Sequence, residues 1–508
     1  MTTLVATIPR LSADTLTADV RERDGVTGPL VEAATLSIGI VHFGIGAFHR
    51  THQAVFTEDA AAASGDTRWG ILGVTGRSDT VVQQLRPQDC LYGVLERGAD
   101  VTALRLVASV RDVAWPGRDS ERVADALASP TVHLATLTIT EKGYLRAPNG
   151  GIDLGLGAVR HDLDVIGREL AGESDLGASK TPIGLLVRGL ARRFRSGGEP
   201  FTVVACDNLV DNGPTTRRLV RSLVEALPAD AAAGFGDWLE ASVRFPSTMV
   251  DRIAPATTES DREVAAELLG LRDEALVVAE PFKQWVIEDD FAGPRPAWEK
   301  AGAILTTDVA AYERVKLRIL NGTHSMLAYL GLLKGHETIA KTVTDAPLRA
   351  AVLRVLNADI LPTIEAPEGI DLEEYRDCVL ERFANPSLAH TTRQVGMDGS
   401  QKLPFRWLAT AADRLADGEL PEGLAFALAA WITYIASTSD AAGPVLDDPL
   451  AARLQAAVGT SAELRAEPSA AVDRLFAIDE VFGESVRASA EFRAAVVAAL
   501  PAVRALVS

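Results

Sequence analysis

The chain has 508 residues, of which 47% are hydrophobic and 23% are charged, and its formal net charge is -19 at pH 7. Because a single hydrophobic core stops growing at roughly 250–300 residues, this length predicts more than one domain. The acidic residues are spread along the chain, which argues against nucleic acid or an anionic membrane as the main partner.

Cysteine usage and the N-terminal sequence bear on the cellular compartment. Cys90, Cys206 and Cys378 lie far apart and form no CxxC pair, so neither a disulfide framework nor a cysteine-rich zinc site is indicated. The first residues lack the pattern of a secretory signal, and no apolar run approaches the ~20 residues of a membrane span. We therefore expect a cytoplasmic protein with no membrane partner.

Short apolar runs alternate with helical stretches in the first part of the chain. Strands are predicted at residues 37–43, 69–75, 133–140 and 201–206, and a helix is predicted at residues 48–63. This alternation is typical of a parallel sheet with helices on both faces. After about Thr306 the spacing becomes helical, and Pro501 is expected to end or kink a helix at residues 486–500. We predict an α/β domain at residues 1–300 and a mostly α-helical domain at residues 301–508.

A glycine turn follows the first strong strand and opens a helix. In the segment Gly44-Ile45-Gly46-Ala47-Phe48-His49-Arg50, His49 stands where the third glycine of GxGxxG would be. Small residues let the backbone approach a pyrophosphate, and a helix N-terminus offers free N–H groups. A turn that binds no ligand explains these residues equally well, and the position after the first strand favours a cofactor. The candidate cofactor-binding residues here are Gly44, Gly46, Ala47, Phe48 and Arg50.

A dinucleotide-binding domain needs an acidic residue near the end of its second strand to bind the adenosine ribose. Asp79 follows the predicted strand at residues 69–75 and is the best candidate. Arg77 lies beside it and could favour a 2′-phosphate instead, so NADP stays open, although NAD is preferred. Asp79 could equally be a solvated loop residue.

Lys316, Asn321 and His324 lie in an otherwise apolar run. Burial disfavours the lysine cation, so we expect a lowered pKa that suits a base near neutral pH. An amide N–H group can stabilise a developing alkoxide. On a regular helix five residues turn about 500°, which would place Lys316 and Asn321 roughly 140° apart. We therefore predict a break or kink at residues 321–322, where Gly322 supplies conformational freedom and Asn321 can cap a helix.

Several segments in a consistent order resemble the mannitol dehydrogenase family, the long-chain polyol and sugar-acid dehydrogenases that include fructuronate reductases. The matching segments are residues 44–50 with His52, 138–144, 206–208, 249–252, 280–288, Lys316 with Asn321 and His324, and 382–386. The resemblance implies a Rossmann-type N-terminal domain, a helical C-terminal domain and a monomer. It also implies NAD-linked oxidation of a secondary alcohol that needs no metal, zinc included.

The resemblance assigns roles to individual residues. Lys316 matches the general base, and Glu313 matches a carboxylate that passes the proton to solvent. Asn208 and Asn321 match two carboxamides that hold the substrate oxygen, which would place the site between the two domains. The remaining matches are His324, which orients the substrate, Glu141, which lines the site on the cofactor side, and Asp251, which lines it on the substrate side.

The resemblance implies that the substrate is a small polyol or sugar acid. Lys402 matches a lysine of the substrate pocket, while Gln394 falls where mannitol enzymes are expected to have an arginine, with Arg393 one position earlier. D-mannitol/D-fructose is placed slightly ahead of D-mannonate/D-fructuronate, and another polyol such as arabinitol is a further alternative. Two different classes stay open: a catalytically silent NAD-binding sensor, and a helical interaction scaffold, which the glycine turn disfavours.

Overall fold

Strands and helices are segregated along the chain. The computed structural model describes residues 8–76, 78–99, 101–230, 232–388 and 390–508, so Arg77 lies outside the described residues. The chain divides into two compact units, Met1–Val309 and Ala310–Ser508. Within the described residues every strand precedes residue 307, and the second unit is built from helices. An α/β first domain and a helical second domain are thus confirmed.

The described residues of unit 1 form thirteen strands in three sheets. The strands are β1 (Val26–Thr27), β2 (Ile38–Phe43), β3 (Gly70–Val74), β4 (Tyr92–Arg97), β5 (Thr102–Val107), β6 (Val110–Ala114), β7 (Leu134–Leu137), β8 (Phe201–Ala205), β9 (Val243–Arg244), β10 (Thr248–Asp251), β11 (Val277–Ala279), β12 (Gln284–Glu288) and β13 (Ile304–Thr306). The main sheet has the order β6-β3-β2-β7-β8-β9 and is parallel throughout.

The four predicted strands are the centre of this main sheet. β3, β7 and β8 are buried along their whole length, and β2 is buried except at its first residue. Near-continuous apolar runs are what a parallel sheet covered on both faces requires. Two separate apolar cores, one containing Val41 and the other Ile40, lie on the two sides of β2. The carboxyl ends of β2, β3, β7 and β8 therefore share one edge of the sheet.

Helices cover the sheets of unit 1. They are α1 (Ala18–Arg21), α2 (Ala47–Thr51), α3 (Gln53–Ser64), α4 (Thr80–Leu85), α5 (Pro116–Ala128), α6 (Gly157–Leu170), α7 (Pro182–Arg195), α8 (Asn212–Glu225), α9 (Phe235–Ser242) and α10 (Glu259–Leu269). The helix predicted at residues 48–63 is interrupted at His52, whose backbone has φ -120° and ψ -87°. Its ring is buried and hydrogen-bonded to a carbonyl outside the helix, which explains the interruption.

Two smaller sheets complete unit 1. One has the order β1-β5-β4-β11 and the other β10-β12-β13. The sequence did not predict β4, β5 or β6, because their partly exposed, charged residues give no continuous apolar run. β10 lies between the prolines at 246 and 255 and pairs antiparallel with β12.

Within the described residues, unit 2 consists of helices and includes three π-helical turns. The α-helices are α11 (Val309–Val315), α12 (Gly322–Lys334), α13 (Ile339–Thr344), α14 (Ala346–Val355), α15 (Leu372–Ala384), α16 (Thr392–Val395), α17 (Gly399–Leu403), α18 (Ala409–Ala416), α19 (Glu422–Thr438), α20 (Ala451–Val458), α21 (Ser461–Ala466), α22 (Pro468–Phe476), α23 (Glu484–Ala488) and α24 (Ala490–Val507). The π-helical turns are π1 (Lys316–Asn321), π2 (Leu356–Ile360) and π3 (Pro404–Leu408).

The apolar helix α19 is buried along most of its length and packs against α24. Pro501 lies inside α24, which continues to Val507, so the proline does not end this helix, and the alternative of a kink stays a prediction. Pro501 is exposed, and a carbonyl group that lacks its N–H partner there can hydrogen-bond water. No helix of the described residues is both long enough and apolar enough to cross a membrane.

Candidate active site

The glycine turn after β2 has a tightly defined backbone. Gly44 has φ +99°, and a Cβ atom there would lie 2.1 Å from the carbonyl oxygen of Thr138. The N–H of Gly44 donates to Val74 O at 2.9 Å, and the Thr138 hydroxyl donates to Gly44 O at 2.8 Å. Only glycine meets both requirements, a positive φ and the close approach of β7. The first glycine of the turn is therefore explained by the fold itself.

The second half of the turn is open, as a cofactor cradle requires. Gly46 is exposed, and a Cβ atom there would have no neighbour nearer than Gly44 O at 3.8 Å. Gly46 is the N-cap of α2, and no side chain caps the helix. The first-turn N–H groups, those of Ala47 and Phe48 included, have no partner inside the helix. These residues fit the pyrophosphate of a dinucleotide.

The other two candidate cofactor residues have protein partners. Arg50 is buried, and its guanidinium donates to Ala275 O at 2.5 Å and Gly46 O at 3.2 Å. This geometry gives Arg50 a role in holding the turn against β11, and direct contact with a cofactor stays a prediction. Asp79 accepts a hydrogen bond from Gln83 at 2.9 Å and directly precedes α4, beyond the end of β3. Its position suits the ribose role, which also stays a prediction.

Glu141 and Asn208 lie in the loops that follow β7 and β8, at the same sheet edge as the glycine turn. Both are exposed. A hydrogen bond between buried Tyr144 and Asp207 connects the two loops, with the phenol donating to the carboxylate. Burial raises the pKa of Asp207 to about 7. Sequence reasoning missed this pair, although both residues lie in the segments that carry the family resemblance.

Asp251 ends β10 and is buried, and its backbone pairs with that of Gln284 on β12. The neighbouring Arg252 is also buried: it donates to Glu280 O at 2.9 Å and to the Glu96 carboxylate at 2.6 Å. Arg252 thus connects strands of the two smaller sheets. This arrangement fixes the backbone at Asp251, whose predicted contact with substrate stays a prediction.

In unit 2 the chain is wound as a π-helix between Lys316 and Asn321. The N–H of Gly322 donates to Leu317 O, five residues back. Hydrogen bonds between residues five apart mean that positions five apart are about one turn apart. Lys316 and Asn321 therefore share one face, which a regular α-helix would not allow. The helix thus departs from regular α-helical winding, but it does so at residues 316–321 and not at the predicted break or kink at residues 321–322.

The cause of the interruption differs from the prediction. Gly322 has φ -62° and Asn321 has φ -70°, so both residues are helical, and the Asn321 side chain makes no cap bond. The π-helical winding of residues 316–321 brings the side chains together, with no break at 321–322. Lys316 is buried, and Glu313 lies three residues earlier on α11, which agrees with its predicted place beside the lysine.

His324 begins the α12 segment that follows π1. Its ring stacks on Phe383 with centroids 4.6 Å apart, and its Nε2 is enclosed with no hydrogen-bond partner among the described residues. Its pKa is held well below 6.5, first by burial and then by neighbours that carry or can carry positive charge, which are His390, Arg406, Lys402 and Arg382. His324 is therefore a neutral imidazole with a ring nitrogen available to a ligand.

The three candidate substrate residues of unit 2 differ in position. The Lys402 ammonium on α17 donates to Met397 O at 2.6 Å and also approaches Val395 O at 3.5 Å. Its positive charge reaches His324. Gln394 and Arg393 are exposed neighbours on α16, and the charge of Arg393 reaches Tyr434 on α19. The charge of Lys402 thus acts on His324, while the substrate contacts of Lys402, Gln394 and Arg393 all stay predictions.

The candidate residues form two groups. In unit 1 the glycine turn, Asp79, Glu141 and Asn208 lie along one sheet edge. In unit 2, Lys316 and Asn321 are the first and last residues of π1, His324 is the third residue of α12, and the charge of Lys402 reaches His324. That the two groups meet in one cleft stays a prediction. Among the described residues no group of three or more His, Cys, Asp or Glu side chains is placed to hold a metal ion.

A parallel sheet with an open glycine turn at its carboxyl edge defines unit 1 as a Rossmann-type dinucleotide-binding domain. The family models extend this to the whole chain: residues 38–300 match the mannitol dehydrogenase Rossmann domain, and residues 308–504 match the mannitol dehydrogenase C-terminal domain. The chain belongs to the mannitol dehydrogenase family and is an oxidoreductase. The predicted family and enzyme class are confirmed.

Individual relatives agree with this assignment. The chain is 39% identical to D-mannonate oxidoreductase of Escherichia coli K12, over 93% of this chain and 95% of that protein. It is similar to the ternary complex of Pseudomonas fluorescens mannitol 2-dehydrogenase with NAD and D-mannitol, with a TM-score of 0.80, 34% identity and 97% of each chain covered. A D-sorbitol dehydrogenase in substrate-free form gives a TM-score of 0.83 at 30% identity, covering 99% of this chain and 100% of that one.

Proposed function

We propose that this protein is an NAD-dependent dehydrogenase that interconverts a secondary alcohol and a ketone at C2 of a six-carbon sugar acid, with D-mannonate and D-fructuronate as the pair. The open N-terminus of α2 holds the pyrophosphate of NAD. This proposal places the sugar acid ahead of the polyol, which reverses the order of the two substrates in the sequence analysis. The observation that carries it is the set of positively charged side chains around His324.

Oxidation removes a hydride and a proton from the alcohol, and bound NAD supplies the acceptor for the hydride. Lys316 takes the proton from the C2 hydroxyl as a general base, and Glu313 passes it on to solvent. The carboxamides of Asn208 and Asn321 donate to the substrate oxygen and stabilise its developing negative charge. The π-helical winding supports this mechanism, because it directs the base and one of the two amides to the same side.

The charges near His324 favour an anionic substrate. Arg382, Arg406 and Lys402 lie close enough to lower its pKa. Positively charged donors bind a carboxylate more strongly than they bind a hydroxyl group. A carboxylate at the end of the sugar chain would gain from this field, and a neutral polyol would not. The neutral His324 ring is left to hydrogen-bond a substrate hydroxyl through Nε2.

D-mannitol and D-fructose are the second candidate pair. The solved Pseudomonas fluorescens relative binds D-mannitol and is similar over 97% of this chain. The lysine and carboxamide chemistry at C2 is the same for both substrates. The preference for one substrate therefore depends on the end of the sugar chain where D-mannonate has a carboxylate and D-mannitol has a hydroxyl group.

The test compares substrates and one variant. NADH absorbance is followed with D-mannonate, D-mannitol, D-sorbitol and arabinitol. D-mannonate is expected to have a kcat/KM at least about 100-fold above D-mannitol, since a buried charge pair contributes on the order of 2–5 kcal/mol. Lys316→Ala should retain only a small, measurable residual turnover yet bind NAD, while Lys341→Ala, which changes an exposed lysine on α13, should behave as wild type.

Any other result contradicts one part of the proposal: the choice of substrate, the general base or the enzymatic activity itself. A higher kcat/KM for D-mannitol supports the second pair. Unchanged turnover in Lys316→Ala removes the general-base assignment. Tight NAD binding with no turnover on any of the four substrates supports the silent sensor.

A monomeric state, a cytoplasmic location and independence from zinc stay predictions. Size-exclusion chromatography tests the first. Full activity after dialysis against a chelator is the result expected for the last.

A further inference from the structure

The π1 turn is held by two side chains from another π-helical turn. The Trp407 indole donates from Nε1 to Gly322 O at 3.0 Å, and Arg406 donates to Asn321 O at 3.3 Å and to the Ser325 hydroxyl at 2.8 Å. Both side chains belong to π3. Trp407 is buried, with only 1% of its surface exposed. Gly322 has no side chain, which lets π3 approach, because a Cβ atom there would lie 3.3 Å from Arg406 O.

The other side of π1 is fixed by its own Arg318. This guanidinium is buried and donates to the Thr363 hydroxyl at 2.7 Å and carbonyl at 3.1 Å, and it pairs with Asp413. The contacts therefore act on π1 from two directions. We call Arg406 and Trp407 the π1 brace.

A π-helical turn needs such support. It is rare, and without it the segment would tend to rewind as an α-helix. Rewinding would turn Asn321 away from Lys316, because residues five apart on an α-helix differ by roughly 140° in direction. The brace bonds reach the last residue of π1 and the first residue of α12, where the winding changes.

We infer that Trp407, with Arg406, is a positioning residue: it holds the π-helical winding that places Lys316 and Asn321 on one face. This inference rests on the proposed function, in which Lys316 is the base and Asn321 binds the substrate oxygen. Trp407 acts through the backbone of π1 and has no role in cofactor binding.

The test uses Trp407→Phe, which keeps a large aromatic ring and removes only the donor. The matched control is Trp238→Phe in unit 1, because the Trp238 indole also donates to a glycine carbonyl, that of Gly198, at 2.7 Å. Both variants lose one indole hydrogen bond to a glycine. Steady-state kinetics are measured over a range of pH, together with NAD affinity and thermal unfolding.

Trp407→Phe is expected to lower kcat by about 10- to 100-fold, the effect of misplacing a catalytic group by about 1 Å. The pH at which kcat falls on the acid side should also shift, and NAD affinity should stay unchanged. Trp238→Phe should keep kcat and the pH profile within about twofold. The inference is wrong if Trp407→Phe also keeps the wild-type kcat and pH profile. It is also wrong if the only change in Trp407→Phe is a loss of thermal stability that Trp238→Phe shows as well.

A double variant separates this inference from the proposed function. If Lys316 is the group that the brace positions, Trp407→Phe should add little to the loss in Lys316→Ala, since residues that act as a unit are not additive. Full turnover in Lys316→Ala alone would contradict the proposed function whatever Trp407→Phe does. If the fold losses in kcat of the two single variants multiply in the double variant, the two residues act independently, and the positioning role of the π1 brace is wrong.

If Trp407→Phe does not fold, Ser325→Ala decides. Ser325 is buried and accepts from Arg406, so its loss loosens the brace with a smaller change in volume. A several-fold lower kcat with unchanged NAD affinity supports the inference, and wild-type kinetics overturn it.

Discussion

The histidines around the glycine turn should make unit 1 sensitive to acid. Burial lowers the pKa of His42 and of His52 to about 3, and it lowers that of His49 well below 6.5. His52 illustrates the cause. Its Nε2 meets Gln284 O at 2.8 Å, its Nδ1 meets the Gln53 amide at 3.0 Å, and its ring contacts Phe48, Phe56 and Trp285. The nearby charged groups are Arg252, Lys283 and Asp251.

The direction in which stability changes with pH follows from proton uptake by the unfolded chain. The folded-state pKa of each ring is below the unfolded value of 6.5, so the unfolded chain binds protons that the folded chain does not. Stability is therefore fully present above pH 6.5 and is lost as the pH falls toward about 3. Between pH 7 and pH 5 the loss is about 2 kcal/mol of unfolding free energy for each such histidine.

The perturbation is His52→Gln, because glutamine can donate to Gln284 O, accept from Gln53 and stay neutral at every pH. Urea unfolding of unit 1 is followed by tryptophan fluorescence at pH 7 and pH 5, since the Trp285 ring lies 5.7 Å from that of His52. Wild type should lose about 2 kcal/mol more on acidification than the variant does. The difference is diagnostic because Asp207, whose pKa is raised to about 7, contributes equally to both proteins.

His161→Gln is the control, since His161 is exposed on α6. It should keep the pH dependence of wild type. An equal loss of stability in wild type and His52→Gln would refute the reasoning, because it would mean that His52 binds a proton in the folded state as readily as in the unfolded one.

Two further predictions concern the sheet edge. Gly44→Ala should abolish NAD binding or soluble expression, because its Cβ would lie 2.1 Å from Thr138 O at a φ of +99°, whereas Gly167→Ala, with open space around it in α6, should be neutral in both assays. Tyr144→Phe removes the donor that lowers the pKa of Asp207, so that pKa should rise above about 7. The variant should lose about 1–3 kcal/mol of unfolding free energy, and the acid side of its pH–kcat profile should move upward; an unmoved profile would contradict a link between Asp207 and the loop of Asn208.

The four strands predicted from the sequence are those that can be recognised from their own residues alone. β2, β3, β7 and β8 are short apolar runs buried on both faces, and such runs need no knowledge of their neighbours to be recognised. β4 and β5 were missed, because their residues are only half buried and gain their stability from pairing with each other and with β1 and β11. The pairing of strands that are distant along the chain cannot be predicted from the residues of one strand alone.

The candidate site shows the same division. The spacing of Lys316 and Asn321 predicted that a regular helix could not serve both residues, and this was confirmed. The form of the irregularity was not predictable, because a π-helical turn depends on contacts from Arg406 and Trp407 some eighty residues later, as the hydrogen bonds to residues 321 and 322 show. Arg50 is a second case: its place beside the glycine turn made it a candidate cofactor residue, and only the fold shows that its guanidinium donates to the carbonyl of Ala275.

The amino-acid sequence was sufficient to predict the family, the alternation of strands and helices in the first unit, the glycine turn and the residues of the lysine segment. These features depend on residue type and on short spacings, because local sterics and burial act on neighbouring residues. The three-dimensional structure was needed for the π-helical winding that turns Lys316 and Asn321 to one face, the hydrogen bond between Tyr144 and Asp207, and the neutral state of the buried histidines. Each of these depends on which distant groups desolvate a side chain or hydrogen-bond to it.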